Sequence, residues 1–475
     1  MQLKQLSLSN LGRFKTLDLS LAPTNSVPSN VTILIGQNGG GKTTILKALA
    51  TSLSWLGARI RSDKGSGNPI SEEAILNGAS SAAITLSLSD QEEFNWVVAK
   101  SRSGRKGEHA SQLIDVSRLS DKYRSLLSVN EKTSLPLIAF YPVERSVLDI
   151  PLKIKGKHSF SQLDGYENSL NQGVDFRRFF EWFRDREDME NEVGKENALS
   201  ELLINEPERI TGIFDLIDGS QERLDKLEFS DWKGLKKEFK ILNDVLRIVK
   251  EVEELSKDPQ LTAVRNAITS FMPDFSDLKV RRKPRLHMSI DKSGETLNVA
   301  QLSQGEKSLM ALVGDIARRL AMLNPEMENP LHGDGVVLID EVDMHLHPQW
   351  ARTIIERLTS TFPNCQFVLT THSPLVISDC KDILVYALND GDLTHVPSQY
   401  GQDANTVLLD VMNTHIRNAT VTKRLNDLLD LIQDGKLDEA KALMAQMETE
   451  LPSQNLELAK ARLLLRKEVI RRAAN

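Results

Sequence analysis

A chain of 475 residues exceeds one ordinary domain, and its 40% hydrophobic content suffices for a sizeable core. Its net charge of −7 rules out an overall basic coat, although local basic patches remain open. Two cysteines, Cys365 and Cys380, exclude a disulfide framework, and with no apolar run long enough to span a bilayer and no signal peptide the expected compartment is the cytoplasm.

Residues 1–21 alternate, with Leu6 and Leu8, then Leu17, Leu19 and Leu21, around a break at Asn10-Leu11-Gly12. The pattern predicts two antiparallel strands. Phe14, between Arg13 and Lys15, either reaches a bound base or phosphate or packs under the hairpin. Val31 to Ile35 is apolar and largely β-branched, a buried strand, and Thr44 to Leu56 reads as a helix. Between them stands Gly36-Gln37-Asn38-Gly39-Gly40-Gly41-Lys42-Thr43, which fits the P-loop pattern. A strand feeding a glycine loop feeding a helix binds phosphate, because the helix start leaves N–H groups unpaired and carries partial positive charge. Gly36, Asn38, Gly39, Gly40, Gly41, Lys42, Thr43 and Thr44 are therefore candidate contacts to a nucleoside triphosphate. Lys42 is placed to reach the β and γ phosphates, and the Thr43 hydroxyl to ligate Mg²⁺.

Ser62 to Asn68 reads as a loop, and Ala83 to Leu88 with Phe94 to Val98 as an antiparallel pair. Ser101 to Gly107 is a basic loop, better read as a solvated turn than as a nucleic-acid contact. Leu135 to Tyr141 is a core strand, after which Glu144 and Arg145 are either nucleotide or metal contacts or a surface ion pair. Phe176, Phe179, Phe180 and Phe183 then share one helical face. From Glu201 to Lys257 the pattern stays helical and charged, with Ile241, Val245, Ile248 and Val252 on one side. An inserted helical lobe is expected here. The basic cluster Arg281, Arg282, Lys283 and Arg285 is open between a solvated strand edge and a phosphate contact.

Leu302-Ser303-Gln304-Gly305-Glu306-Lys307-Ser308 precedes a helical run to Leu320. Val336 to Ile339 is a strand ending in two carboxylates: Asp340 suits the Mg²⁺-holding acid, and Glu341 the general base for the attacking water. Gln366 to Leu369 runs into Thr370-Thr371-His372-Ser373-Pro374, where His372 is placed to touch a γ-phosphate. His345 and His347 find no further ligands at metal spacing. The tail predicts three helices, Val421 to Gln433, Leu437 to Glu450 and Ser453 to Arg472. Its last helix has two apolar stripes and a basic strip of Lys460, Lys467 and Arg471, suited to an acidic partner or nucleic acid. Docking and fold-capping both remain open for this tail.

This series of motifs resembles the ABC-type ATPase family, in particular its soluble RecF- and SMC-like branch, over residues 1–60 and 295–400. The resemblance implies ATP and Mg²⁺ held in a head-to-tail homodimer or a higher homo-oligomer. Ser303, Gly305 and Glu306 of one subunit's signature would close on the γ-phosphate held by the other, with Asp343 as the D-loop residue and His372 as the switch. One departure is that no Q-loop glutamine follows the Leu135–Tyr141 strand, where Glu144 stands instead. Glu181-Trp182-Phe183-Arg184, Asp340 to Pro348 and Tyr400-Gly401-Gln402-Asp403 further resemble stand-alone ATPases of phage-defence operons, of the PtuA type in Septu and retron-linked systems. That resemblance implies an HNH-type effector nuclease as partner.

The expected fold is α/β: a P-loop ABC-type core with an N-terminal antiparallel subsheet and an inserted helical lobe. The expected divisions are 1–150 and 281–400 for the two halves of the ATPase, 151–280 for the insertion and 401–475 for a helical tail. The expected function is an ATP-binding and ATP-hydrolysing sensor or switch for an effector nuclease in antiphage defence. Two alternatives stay open: an SMC/RecF-like repair ATPase on DNA ends, and an ATP-bound scaffold that sequesters an effector. Direct contact with DNA or RNA is also open, and no membrane association is expected.

Overall fold

Alternating leucines build the first sheet. β1 (Gln2–Leu11) and β2 (Phe14–Ser20) pair antiparallel, with Leu6 opposite Leu19 and Leu8 opposite Leu17, all four buried. The structure is a computed structural model that describes residues 1–143, 160–171, 176–194, 254–412, 417–452 and 454–473, with scattered single positions between these stretches. β3 (Val31–Gly36) is buried through Ile35, and α1 (Lys42–Arg61) follows the glycine loop. β4 (Ser81–Asp90) and β5 (Glu92–Ser101) add to the free side of β1, so the first sheet runs β2-β1-β4-β5. α2 (Ile114–Val129) buries Val116, Leu119 and Tyr123, a helical spacing. β6 (Leu137–Tyr141) is buried at every residue.

α3 (Phe176–Met189) carries the aromatic face that the sequence predicts; Phe176, Phe179, Phe180 and Phe183 are all buried. Each such side chain contributes about 1.5–3 kcal/mol on full burial. α4 (Pro259–Phe271) leads into β7 (Phe275–Arg281), β8 (His287–Lys292) and β9 (Glu295–Asn298), a three-stranded antiparallel sheet absent from the sequence reading. Glu187 of α3 ties these parts together: its carboxylate accepts from the Val280 amide at 3.0 Å and pairs with Arg265 of α4 at 3.2 Å. Burial pushes its carboxyl pKa above the ordinary value, against the pull of that amide and of Arg265. Ile241, Val245 and Ile248 lie outside the described residues.

α5 (Gln304–Leu323), β10 (Gly335–Ile339), α6 (Pro348–Thr361), β11 (Cys365–Thr370), the short α7 (Pro374–Ser378), β12 (Leu384–Asn389) and β13 (Asp392–Val396) follow. The central sheet runs β13-β12-β3-β11-β10-β6, parallel except for the edge strand β13. β3, β10 and β11 are therefore neighbours, although β3 spans Val31–Gly36 and β11 spans Cys365–Thr370, far apart in the chain. The Gln366 carboxamide joins the two sheets, accepting from the Leu3 amide at 2.7 Å and donating to the Leu3 carbonyl at 2.9 Å.

The chain divides into two compact units, Met1–Gly401 and Gln402–Asn475. The second holds α8 (Ala404–Asp410), α9 (Ala419–Gln433), α10 (Leu437–Glu450) and α11 (Leu456–Ala473). Leu425, Leu428 and Ile432 of α9 meet Ala440 and Met447 of α10 and Leu458, Ala461 and Leu465 of α11 in a small core. The other stripe of α11, with Leu456, Leu463 and Ile470, is exposed. Lys460 and Arg471 of the basic strip pair with Glu457 and Glu468 one turn away.

Candidate functional site

Open parallel sheets place ligands beyond the carboxyl ends of their strands. Three neighbouring strands end here in chemistry: β3 in the glycine loop, β10 in Asp340-Glu341, and β11 in Thr370-Thr371-His372. The loop is shaped by one aromatic ring. Phe14 is 1% exposed, and a Cβ on Gly41 would overlap its ring. Gly41 also sits at φ 106, left-handed backbone that other residues adopt only at a cost of about 1–3 kcal/mol. Of the two readings of Phe14, the structure shows packing, under the phosphate loop itself. Arg13 reaches the loop instead, its guanidinium donating to the Gly39 carbonyl. Asn38 and Gly39 are exposed at the tip, the Gly40 amide closes a turn onto the Gln37 carbonyl at 3.1 Å, and Thr44 lies against Gly12 of the β1–β2 turn.

Lys42 is 5% exposed, and its ammonium donates to the Gly36 carbonyl at 2.8 Å and the Gln37 carbonyl at 3.2 Å. Burial lowers its pKa from the ordinary lysine range, partly offset by Asp340 and Glu341. Asp340, 1% exposed, accepts from the Thr43 hydroxyl on one oxygen at 2.7 Å and from the Thr370 hydroxyl on the other at 2.6 Å. Glu341 adopts φ 46 and carries its carboxylate, half-buried, to 3.9 Å from His372 Nε2. Partial burial and then the Lys42 charge lower the His372 pKa below its ordinary value, against the pull of Glu341, Asp343 and Asp340.

Ser303 caps α5. Its amide donates to Glu306 at 2.8 Å, its hydroxyl accepts from the Glu306 amide at 3.4 Å, and Glu306 also pairs with Lys292 at 2.6 Å. Burial would raise the Glu306 pKa, but Lys292 and Ser303 outweigh it and hold the carboxyl below its ordinary range. Gly305 abuts the loop after Glu341, where a Cβ would overlap the His345 carbonyl. Asp343 of that loop accepts from the Thr371 hydroxyl. The sheet thus gathers Lys42, Thr43, Asp340, Glu341 and His372, whereas Ser303, Gly305 and Glu306 contact their own turn, Lys292 of β8 and His345.

Residues 31–378 match the family described as "AAA domain, putative AbiEii toxin, Type IV TA system", a span that runs from the loop strand to α7. The chain is also 32% identical to "Retron Vc95 probable ATPase" of Vibrio cholerae, over 86% of this chain and 78% of that one. It is 34% identical to "Retron Ec83 probable ATPase" of Escherichia coli, over 84% and 73%.

The chain belongs to this AAA-type ATPase family.

A shorter similarity, 35% identity over 22% of this chain and 15% of the other, links it to "Septu protein PtuA" of Bacillus mycoides. Among solved structures, the Smc head domain of Pyrococcus furiosus is similar at 17% identity and a TM-score of 0.41, over 83% of this chain and 96% of that one.

The groups that such an ATPase needs fit the residues present. Thr43 and Asp340 set two oxygen donors 2.7 Å apart, and Mg²⁺ takes one or two protein oxygens together with phosphates and water. Among the described residues no cluster of three or more His, Cys, Asp or Glu gathers for a metal. His347 caps α6, its ring nitrogen accepting from the Gln349 amide at 3.3 Å. Glu144 and Arg145 lie outside the described residues. In the basic cluster, Arg282 pairs with Asp188, and Arg281 bonds Ser289 at 3.3 Å. Thr370 is the site residue that sequence reasoning missed, because a threonine in an apolar strand reads as β propensity.

Proposed function

We propose that this chain binds and hydrolyses ATP with Mg²⁺, and that the cycle switches a partner effector nuclease in antiviral defence. The observation that supports it best is the buried Asp340 carboxylate bonded to Thr43, beside Lys42, Glu341 and His372, from three separate stretches of chain. The amides of the glycine loop and the Lys42 ammonium bind the phosphates. Thr43 and Asp340 would hold Mg²⁺, which would supply positive charge to offset that of the phosphates. Glu341 takes the proton of the attacking water, and His372 stands within reach of the transferred phosphate. Ser303 and Gly305 act across a head-to-tail dimer, completing the site of a second copy. The retron and Septu names of the relatives support the defence role, and an HNH-type nuclease is the effector that the motif resemblance implies.

Phosphate release and nucleotide titration test the hydrolytic reading. Glu341→Gln keeps ATP bound and loses about 10²–10⁴ in turnover, the worth of a general base. Lys42→Ala weakens binding itself. Equal phosphate release by Glu341→Gln and wild type removes Glu341 as the base.

A further inference from the structure

Two consecutive threonines hold the acidic turn that follows β10. Thr370, fully buried, donates its hydroxyl proton to Asp340 Oδ1 at 2.6 Å and accepts the Glu341 amide at 2.7 Å. Its backbone carbonyl accepts the Val342 amide at 3.0 Å. One residue of β11 therefore grips positions 340, 341 and 342 in succession. Thr371 extends the grip, donating to Asp343 and accepting the Ser373 amide at 2.9 Å.

The chemistry of a hydroxyl explains the choice of residue. A hydroxyl has one proton to give and two lone pairs to receive with. Here the proton goes to one carboxylate oxygen, which turns the other oxygen, Oδ2, toward Thr43. A lone pair takes the Glu341 amide and so helps to hold that residue at φ 46, which its own backbone preference disfavours. Valine fits the same volume and does neither.

We propose that Thr370 is a positioning residue of the nucleotide site, aiming the Asp340 carboxylate at Mg²⁺ and fixing the backbone from which the Glu341 carboxylate reaches the attacking water. The proposal rests on the ATP reading above. Groups that orient a metal's ligands in this way typically cost about 10–100-fold in metal affinity or activity when removed.

The test compares wild type, Thr370→Val and Thr370→Ser by titrating a fluorescent ATP analogue, first in EDTA and then against rising Mg²⁺, with phosphate release measured in parallel. Thr370→Val binds the analogue in EDTA as wild type does, and its Mg²⁺ for half-maximal binding rises about tenfold or more. Its turnover falls as well, and Thr370→Ser restores both. An unchanged Mg²⁺ half-point in Thr370→Val overturns the proposal, because a purely structural hydroxyl would lower only the melting temperature. Should Thr370→Val not fold, Thr370→Ala, which introduces no bulk, carries the same comparison. A wild-type protein that binds no analogue under either condition overturns the ATP reading and this proposal with it. A wild type that binds and turns over beside an unaltered variant overturns this proposal alone.

Discussion

Gly41 shows how much of the site rests on single atoms. Its φ of 106 disfavours any side chain, and the Phe14 ring occupies the place where a Cβ would go. Gly41→Ala must therefore shift the loop away from α1 or displace Phe14. The expected result is about a tenfold or greater loss of nucleotide affinity, since strain of this kind costs about 1–3 kcal/mol. Titration with a fluorescent ATP analogue checks it, and unchanged affinity would show that the loop yields easily. The motif spacing makes the glycine legible in the sequence, but not its reason. Phe14 lies 27 positions away, and only the pairing of β1 with β2 and the placing of that hairpin over the loop bring its ring under Gly41. Thr370 was hidden more deeply, because its partners are identified by geometry alone.

Among the elements, α5 hides the feature least visible in sequence. Asp315, Arg318 and Arg319 are spaced as charges on a solvated helix face would be, yet all three are buried. Asp315 pairs with Arg318 and Arg319 at 2.7 Å each and accepts from the Tyr141 hydroxyl of β6 at 3.0 Å. Arg319 also donates to the Gly165 carbonyl at 2.7 Å. The helix that begins with the signature is thereby fastened to the sheet beside Asp340 and Glu341, since the Tyr141 carbonyl accepts the Asp340 amide at 2.8 Å. Asp315→Ala leaves two buried guanidinium groups without their anion, and removing one partner of such a pair costs about 3–5 kcal/mol. Thermal melting checks this, and a shift within the error of surface variants would contradict it. The pH dependence has a definite sign. Burial pushes the Asp315 pKa up, but Arg319 and Arg318 outweigh it and hold it down at about 2, below its unfolded value of 3.8. Its contribution to stability is therefore complete above 3.8 and lost as pH falls from 3.8 toward 2. Acid unfolding of Asp315→Asn should lack that component. Strands with uniform burial, β3, β10 and β11, were legible because their apolar runs are short and bounded by polar motifs. The β7-β8-β9 sheet was not, since its strands alternate among charged residues such as Lys279, Arg281 and Lys292.

At the scale of the molecule, the sheet order decides what one chain can do alone. Because β11 lies between β3 and β10, the phosphate loop, the acids and His372 meet within one subunit. The signature turn at Ser303 leans instead on the loop after Glu341 through Gly305. The proposed dimer completes each site with that turn from a second copy. The exposed stripe of α11 and the basic residues beside it belong to the second compact unit, which holds none of the nucleotide motifs. The most direct test mixes two inactive chains, Ser303→Arg and Lys42→Ala, and measures phosphate release once mass measurement has shown both in one oligomer. Random pairing makes half of the dimers mixed, each with one intact composite site, so about a quarter of wild-type turnover should return. Mixed oligomers that release no more phosphate than either variant alone would contradict the account.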